Sequence, residues 1–390
     1  MLVLLCCEQA HAIPAFARAY KVNCSTCHNP FPRRTEFGDA FRKNGYRWPG
    51  DADADRRTRK PKPTEMQGTG ALIGDFPALS IFSARATMSA SYTNRPDVSQ
   101  PLTPARPSIQ LLFGSTLGEH ASVFGKWSGD GGPNEYILHF ARLFDRPELN
   151  LMVGQFEQTT TLFRDNEAIL GRYLINSTSM NNHTVSQPRL GAEANGIVMD
   201  RVFWAAGAVQ NGGLGSSLDG YYHVSAKFGG MDFRGNEPEI DLFAEPSFWD
   251  TGYLTVGHWG YFGRVSEAGS EGGRVGVSRI RRFGLDAKLR YDDLRVWGGV
   301  ALGLDRDLRR DLPSPNITGF AEVSYGLTAW LMPVYLYQYR DSARLEREVQ
   351  KHQLGALVLL LENLRLRVAG ELNADGVANE SVSVQLLLGI

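Results

Sequence analysis

Cys24-Ser25-Thr26-Cys27-His28 is the one stretch of this chain whose residue types and spacing dictate a chemistry. Cys-x-x-Cys-His is the attachment pattern of a c-type haem. Two thiols three residues apart reach the two vinyl groups of one porphyrin, and the adjacent imidazole lies under the iron as proximal ligand. Other chemistries of a Cys pair fit less well. A structural zinc site takes four ligands, and no second Cys pair follows. A thioredoxin-type pair belongs beside a βαβ unit, and none is legible. A disulfide between residues three apart would be strained. The other two cysteines, Cys6 and Cys7, end the apolar start of the chain, and Ala10-His11-Ala12 has the small-x-small form of a signal-peptidase site. Residues 1–12 therefore read as the remnant of an export signal whose basic leading region is missing. The expected cofactor is one covalent haem c, with Cys24 and Cys27 as thioether sites and His28 as iron ligand.

The elements that must position this motif follow it directly. Thr35 is a helix cap, Phe37 and Phe41 share one face at i, i+4, and Asn44-Gly45 followed by Pro49 is a stop signal. Residues 13–50 form the haem segment. So short a segment cannot bury enough apolar surface alone, so the haem or a larger host must complete its core. Residues 51–63, with alternating Asp, clustered Arg and Lys and two prolines, lack periodicity and read as linker, the connection as a whole running over 51–78.

The remainder, 79–390, alternates polar and apolar residues in segments of about ten, the length of a tilted membrane strand. Arg282, Gly284, Asp286, Lys288 and Arg290 alternate with Phe283, Leu285, Ala287, Leu289 and Tyr291. Arg365, Arg367 and Glu371 alternate with Leu364, Leu366, Val368 and Leu372, and Val382, Val384, Leu386, Leu388 and Ile390 share one face of the last segment. Short turns (Gly118-Glu119-His120, Arg146-Pro147-Glu148, Asp200-Arg201, Asp292-Asp293, Glu362-Asn363) separate hairpins whose other ends carry the long connections 93–106, 157–188, 265–279 and 305–316. Turns sorted by length distinguish a membrane barrel from a soluble sandwich. The fold class expected is all-β: a transmembrane antiparallel barrel of about 16 strands with the helical haem segment as plug, in the bacterial outer membrane. The stretch 232–250 breaks the alternation.

Composition agrees. Hydrophobic residues at 43% and charged residues at 21% exclude a disordered chain. The longest apolar run in the body, Ala356 to Leu361, is far short of a spanning helix. Net charge is −1, so nothing points to nucleic acid. Residues 13–63 carry 12 basic and 5 acidic side chains, whereas 64–390 carry 29 and 36. A basic haem segment and an acidic barrel attract one another, which places 13–63 inside the barrel or at its mouth on the periplasmic side.

Ile13-Pro-Ala-Phe-Ala-Arg18, Cys24 to His28, Phe31-Pro32, Phe37-Gly38, Phe41 and Asn44-Gly45-Tyr46 together resemble the haem segment of the fused outer-membrane monohaem cytochrome c–porins, such as the outer-membrane cytochromes of iron-oxidising bacteria. Asp219 to Met231, with Lys227-Phe228-Gly229-Gly230-Met231, is similar to a recurring strand of such porins. Arg33-Arg34-Thr35 and the terminal Ile390 depart from the family pattern. The resemblance implies a haem c inside a porin-like barrel that carries electrons across the outer membrane, often inward from external Fe(II). It implies periplasmic carriers such as soluble c-type cytochromes as partners, with lipid around the barrel.

The sixth iron ligand stays open among Met66, His139 and His223; a Met ligand would raise the potential. His258 lies on a strand whose faces the sequence does not assign. Asp165, Glu167 and Glu193, read as carboxylates of the long loops, are hard oxygen ligands that suit Fe(II), but no spacing singles them out. No acid, base or nucleophile is expected in outer-sphere transfer, and no hydrolytic triad or phosphate loop is found. Two functions follow: an electron conduit, or an outer-membrane channel in which the haem segment is a structural plug or sensor.

Overall fold

The computed structural model describes residues 15–20, 22–29, 33–48, 72–73, 76–77, 81–94, 101–129, 131, 134–177, 183–211, 217–239, 247–267, 276–307, 312–342, 347–361, 363–373 and 380–389. The export-signal remnant 1–12, the linker 51–63 and Met66 lie outside them.

Three short helices open the described chain: α1 (Ala15–Tyr20), α2 (Cys24–Cys27) and α3 (Glu36–Lys43). A two-residue ribbon, β1 (Leu72–Ile73) against β2 (Phe76–Pro77), follows in the connection to the barrel. Sixteen strands then run from β3 (Phe82–Asn94) to β18 (Glu380–Gly389), each antiparallel to its sequence neighbours. Pairing of β18 with β3, Val382 opposite Tyr92 and Leu386 opposite Met88, closes the cylinder and leaves no open edge.

The two-residue alternation decides which side of the wall each residue takes. On β18, Val382, Val384 and Leu386 face outward, as do Phe82, Met88 and Tyr92 on β3. On β12 (Gly276–Tyr291), Arg282, Asp286 and Lys288 are buried in the lumen while Leu285 and Tyr291 are exposed. An inverted cylinder of this kind suits a lipid surround, where apolar surface belongs outside and every backbone polar group is paired along the ladder.

Turns sort by length. Residues 118–120, 199–201 and 292–293 connect hairpins at one end, which also holds the start of β3 and the end of β18. The stretch that breaks the alternation belongs to this turn end: residues 230–252 link β10 (Leu218–Gly229) to β11 (Tyr253–Glu267) and contain α4 (Phe248–Thr251), closed by a capping box of Ser247 and Asp250. At the other end three of the long connections are shorter than the sequence suggests. Strands run to Asn94, Glu267 and Asp307 and resume at Leu102, Gly276 and Leu312. Pro313 and Pro315 sit inside β14 (Leu312–Tyr325), where it pairs only with β13 (Leu294–Asp307), because pairing to the following strand starts at Asn316. A residue without an N–H is tolerated where one side of the strand is open.

The fourth long connection, 157–188, does not stay outside. Leu162, Phe163, Ile169, Leu170, Tyr173 and Ile175 are all buried and join Trp259, Trp297, Phe320 and Leu336 of the inner wall in one apolar cluster. Its backbone is tied to the wall by Leu162 N–H donating to Asp286 Oδ2 (2.8 Å), Leu174 N–H to Gln338 Oε1 (2.6 Å) and Arg367 to the Ile169 carbonyl (2.8 Å). Together with the N-terminal helices it fills much of the lumen.

Candidate haem site and lumenal cavity

The Cys-x-x-Cys-His motif forms α2 and the residue after it, with the chain doubling back through an antiparallel bridge of His28 to Arg34. Two hydrogen bonds from Thr35 lock α2 to α3. Its N–H donates to the Cys27 carbonyl (3.0 Å) and its hydroxyl to the Thr26 carbonyl (2.6 Å). The same hydroxyl accepts from Gly38 N–H (3.0 Å), the helix cap expected from the sequence. Gly38 packs so closely that a Cβ there would lie 2.1 Å from the Cys27 carbonyl oxygen. Asn44 caps the far end, and Gly45 takes a left-handed φ of 74°.

The residues fit a c-type haem. His28 Nδ1 is 3.2 Å from the Arg33 carbonyl oxygen. With an N–H donated there, Nε2 would be the nitrogen that ligates a bound haem iron, as outer-shell carbonyls orient metal-bound histidines. Cys27 is half-buried. Beside the motif lies an aromatic cluster: Phe16 on Phe41 (5.5 Å between ring centres), Tyr20 on Phe41 (5.6 Å) and Phe37 on Trp48 (4.7 Å), extended to the barrel by Tyr46 on Phe124 (5.4 Å). Phe37 and Phe41 share a face as read, but their ring partners come from α1, Tyr46 and Trp48 as well as from their own helix.

Charge complementarity seats the segment at the turn end of the lumen. Arg33 and Glu322, each 1% exposed, form a buried ion pair, and Arg33 also donates to Ser324 Oγ (2.8 Å) and stacks over Trp297 (4.2 Å). Tyr173 donates to the other Glu322 oxygen (3.2 Å). Arg34 pairs with Glu167 and Asp39, and Glu36 with Lys227 (2.5 Å). Arg47 donates to the carbonyls of Gly118 (2.9 Å) and Ala121 (2.6 Å), and Asn44 to that of Phe233 (3.0 Å). The interrupted 230–252 stretch thus supports the segment. Within Arg33-Arg34-Thr35, the departure from the family pattern, Arg33 is the residue tied to the barrel wall and Arg34 the one tied to segment 157–188.

The other sequence candidates separate. His223 and His139 face the lumen, and His223 Nε2 is 3.4 Å from Asp286 Oδ1. His258 faces outward beside the Tyr222 hydroxyl (3.4 Å). Glu193 belongs to strand β8 (Arg189–Val198) rather than a loop, and accepts from Tyr221 (2.7 Å) and Asn195 (2.9 Å). Asp165 accepts from Ser186 and Asn176. Glu167 pairs with Arg34. Among the described residues no three His, Cys, Asp or Glu side chains are grouped to hold a metal ion.

Between α3, the inner wall and segment 157–188 lies a cavity lined in part by Arg34, Arg42, Arg164, His139 and His223. The sequence reading missed it. Its one legible signal was the run of large apolar residues from Leu162 to Ile175, too many for a solvated loop. Burial pushes the Glu157 carboxyl up to about 7, with Glu135 and Asp165 adding to the rise, even though Arg164 lies 3.3 Å away. The folded chain therefore holds this proton where the unfolded chain, near 4.3, has lost it. The stabilisation is complete below about pH 4 and is lost as pH rises through about 7. Unfolding by urea at a series of pH values is expected to show Glu157→Gln flattening that fall by on the order of 3 kcal/mol; a parallel pH profile for the variant would contradict it.

No protein-family description matches the chain, and no curated protein sequence matches it. Solved structures do. A loop L8 deletion mutant of the outer membrane protein OmpT of Vibrio cholerae is similar at 9% identity and a TM-score of 0.57, over 79% of this chain and 99% of that one. An anion-selective porin from Comamonas acidovorans is similar at 11% identity and 0.53, over 79% and 98%. Pseudomonas putida OprB is similar at 9% identity and 0.51, over 79% and 94%. The shared part is the fold: a closed, porin-like outer-membrane barrel.

Proposed function

We propose that this chain is an outer-membrane electron conduit, in which one covalent haem c inside the barrel passes electrons between an extracellular donor, Fe(II) among the candidates, and periplasmic carriers such as soluble c-type cytochromes. The observation that carries this reading is the Cys24–His28 motif on a segment that the buried ion pairs of Arg33, Arg34 and Glu36 tie to the turn end of the lumen. A bound haem c would supply a one-electron iron couple. Cys24 and Cys27 would hold it covalently, and His28, oriented by the Arg33 carbonyl, would ligate the iron. Arg33, Arg34 and Glu36 fix the segment against the wall, so transfer distances would not vary with plug motion. Segment 157–188 narrows the approach from the loop end. No residue needs to act as acid, base or nucleophile.

The likeness to porins, together with the cavity beside α3, favours a second reading: a solute channel in which the haem segment is a plug or sensor. A visible spectrum of intact cells that mature c-type cytochromes separates the two. Anaerobic Fe(II) is expected to raise the reduced α band rapidly, and the band is expected to vanish in Cys24→Ala and Cys27→Ala. A haem reduced by dithionite but not by Fe(II) would remove iron as donor and favour the plug. An outer-membrane barrel with no haem band would overturn the conduit.

A further inference from the structure

We infer that the lumenal cavity beside α3 is an oxoanion or carboxylate site, with Arg42 as its principal ligand. The cations around it are not equally committed. Arg34 is paired with Asp39 and Glu167, Lys43 with Asp39 (3.1 Å), and Arg164 donates to the Glu157 backbone carbonyl (2.6 Å). Among the acids that line the cavity, Asp39 is consumed by Arg34 and Lys43, and Glu193 accepts from Tyr221 and Asn195. The Arg42 guanidinium forms no hydrogen bond or ion pair among the described residues, although it lines the cavity. Burial lowers it from its ordinary value, and Arg164 and Arg34 lower it further.

A second, independent observation points the same way. His139 also lines the cavity, is 4% exposed, and its buried Nε2 has no hydrogen-bond partner. A buried polar nitrogen without a partner costs free energy, and an anion accepting from Nε2–H would recover it. Gly45 abuts the opposite side of the ring, where a Cβ would come within 3.3 Å of Nδ1. An excess of guanidinium donors around the cavity, with a ring N–H to add, matches an oxygen anion rather than a cation.

This chemistry has two sources: a free anion in the lumen, or a propionate of the attached haem. Titration of the detergent-solubilised full chain with inorganic phosphate at constant ionic strength, followed by calorimetry, tests the first. Binding is expected, weakened tenfold or more in Arg42→Gln and largely kept in Arg42→Lys, since a hydrogen bond to a charged group is worth that much. Arg42 has no partner to lose, so the variants are expected to fold, which heat-modifiable gel mobility checks. The second source predicts no phosphate binding to the wild type and a lower haem midpoint potential in Arg42→Gln, restored in Arg42→Lys. That arm rests on the proposed haem, whose presence the spectrum reports separately. Phosphate binding unchanged by Arg42→Gln, or no binding together with an unchanged potential, would overturn the site.

Discussion

Glu322→Ala is expected to loosen the haem segment from the lumen by about 3–5 kcal/mol, the cost of stranding one partner of a buried ion pair. Arg33 would stay buried over Trp297 with the Ser324 hydroxyl as its remaining side-chain acceptor, and Tyr173 would lose its acceptor too. The loss falls on the seating of the segment and not on the barrel, because the strand ladder on both sides of Glu322, opposite Trp297 and Leu336, is backbone. Three kcal/mol is more than a hundredfold in the seated-to-released ratio. Trypsin cleavage within the Arg33-Arg34 stretch should therefore accelerate by about that factor while the barrel remains folded. Replacing both partners, Arg33→Met with Glu322→Leu, should restore most of the protection, because an apolar pair leaves no stranded charge. Cleavage of Glu322→Ala at the wild-type rate would show that the other contacts suffice to hold the segment.

Gly38→Val should damage the haem site from the other side. In a helix interior almost any residue outranks glycine, by up to about 1 kcal/mol. Here sterics oppose propensity. The added Cβ meets Cys27 carbonyl oxygen at 2.1 Å and its carbon at 2.9 Å. That carbonyl is backbone, already bound to Thr35 N–H, and cannot swing aside as a flexible side chain could. Relief requires α2 and α3 to separate, which breaks the hydroxyl bridge from Thr35 to Thr26 and moves His28 away from its carbonyl partner. Overpacking of this kind costs about 1–3 kcal/mol or more, so the net effect is a loss. Haem staining of denatured gels is expected to show little covalent haem in Gly38→Val, with Gly38→Ala intermediate. Wild-type attachment in both would mean that the two helices need not pack this closely for maturation.

Residues whose environment is set locally were readable from the sequence. The Thr35 cap, the Asn44-Gly45 stop, the turns at 118–120, 200–201 and 292–293 and the faces of 382–386 and 282–290 all follow from rules that span fewer than ten residues, whereas the turn read at 146–148 belongs to a longer connection, 141–149, and Glu362 lies outside the described residues. The sixteen-strand closure followed from repetition of the same pattern. Features set by distant contacts were not readable. Segment 157–188 folds inward because its apolar side chains meet Trp297 and Phe320, which lie more than a hundred residues away. Strand ends at Asp307 and Leu312 were hidden because alternation of polarity fades where a strand passes beyond the lipid, while backbone pairing continues. His258 was ambiguous for another reason: period two gives two faces, but only the neighbouring strands say which one is inside. Glu193, read as a loop carboxylate, lies on strand β8. Arg42 was one basic residue among twelve in its segment, and only the pairing of Arg34, Lys43 and Arg164 distinguishes it.

The most direct measurement of the central claim uses liposomes that contain the full haem-loaded chain and enclose an oxidised soluble cytochrome c. A membrane-impermeant reductant is added outside and the enclosed cytochrome is followed by its α band. The conduit predicts rapid reduction of the enclosed cytochrome, abolished by Cys24→Ala with Cys27→Ala, without leakage of a trapped fluorescent solute. An enclosed cytochrome that stays oxidised while the barrel's own haem is intact would contradict the conduit and leave the plugged channel as the function of this fold.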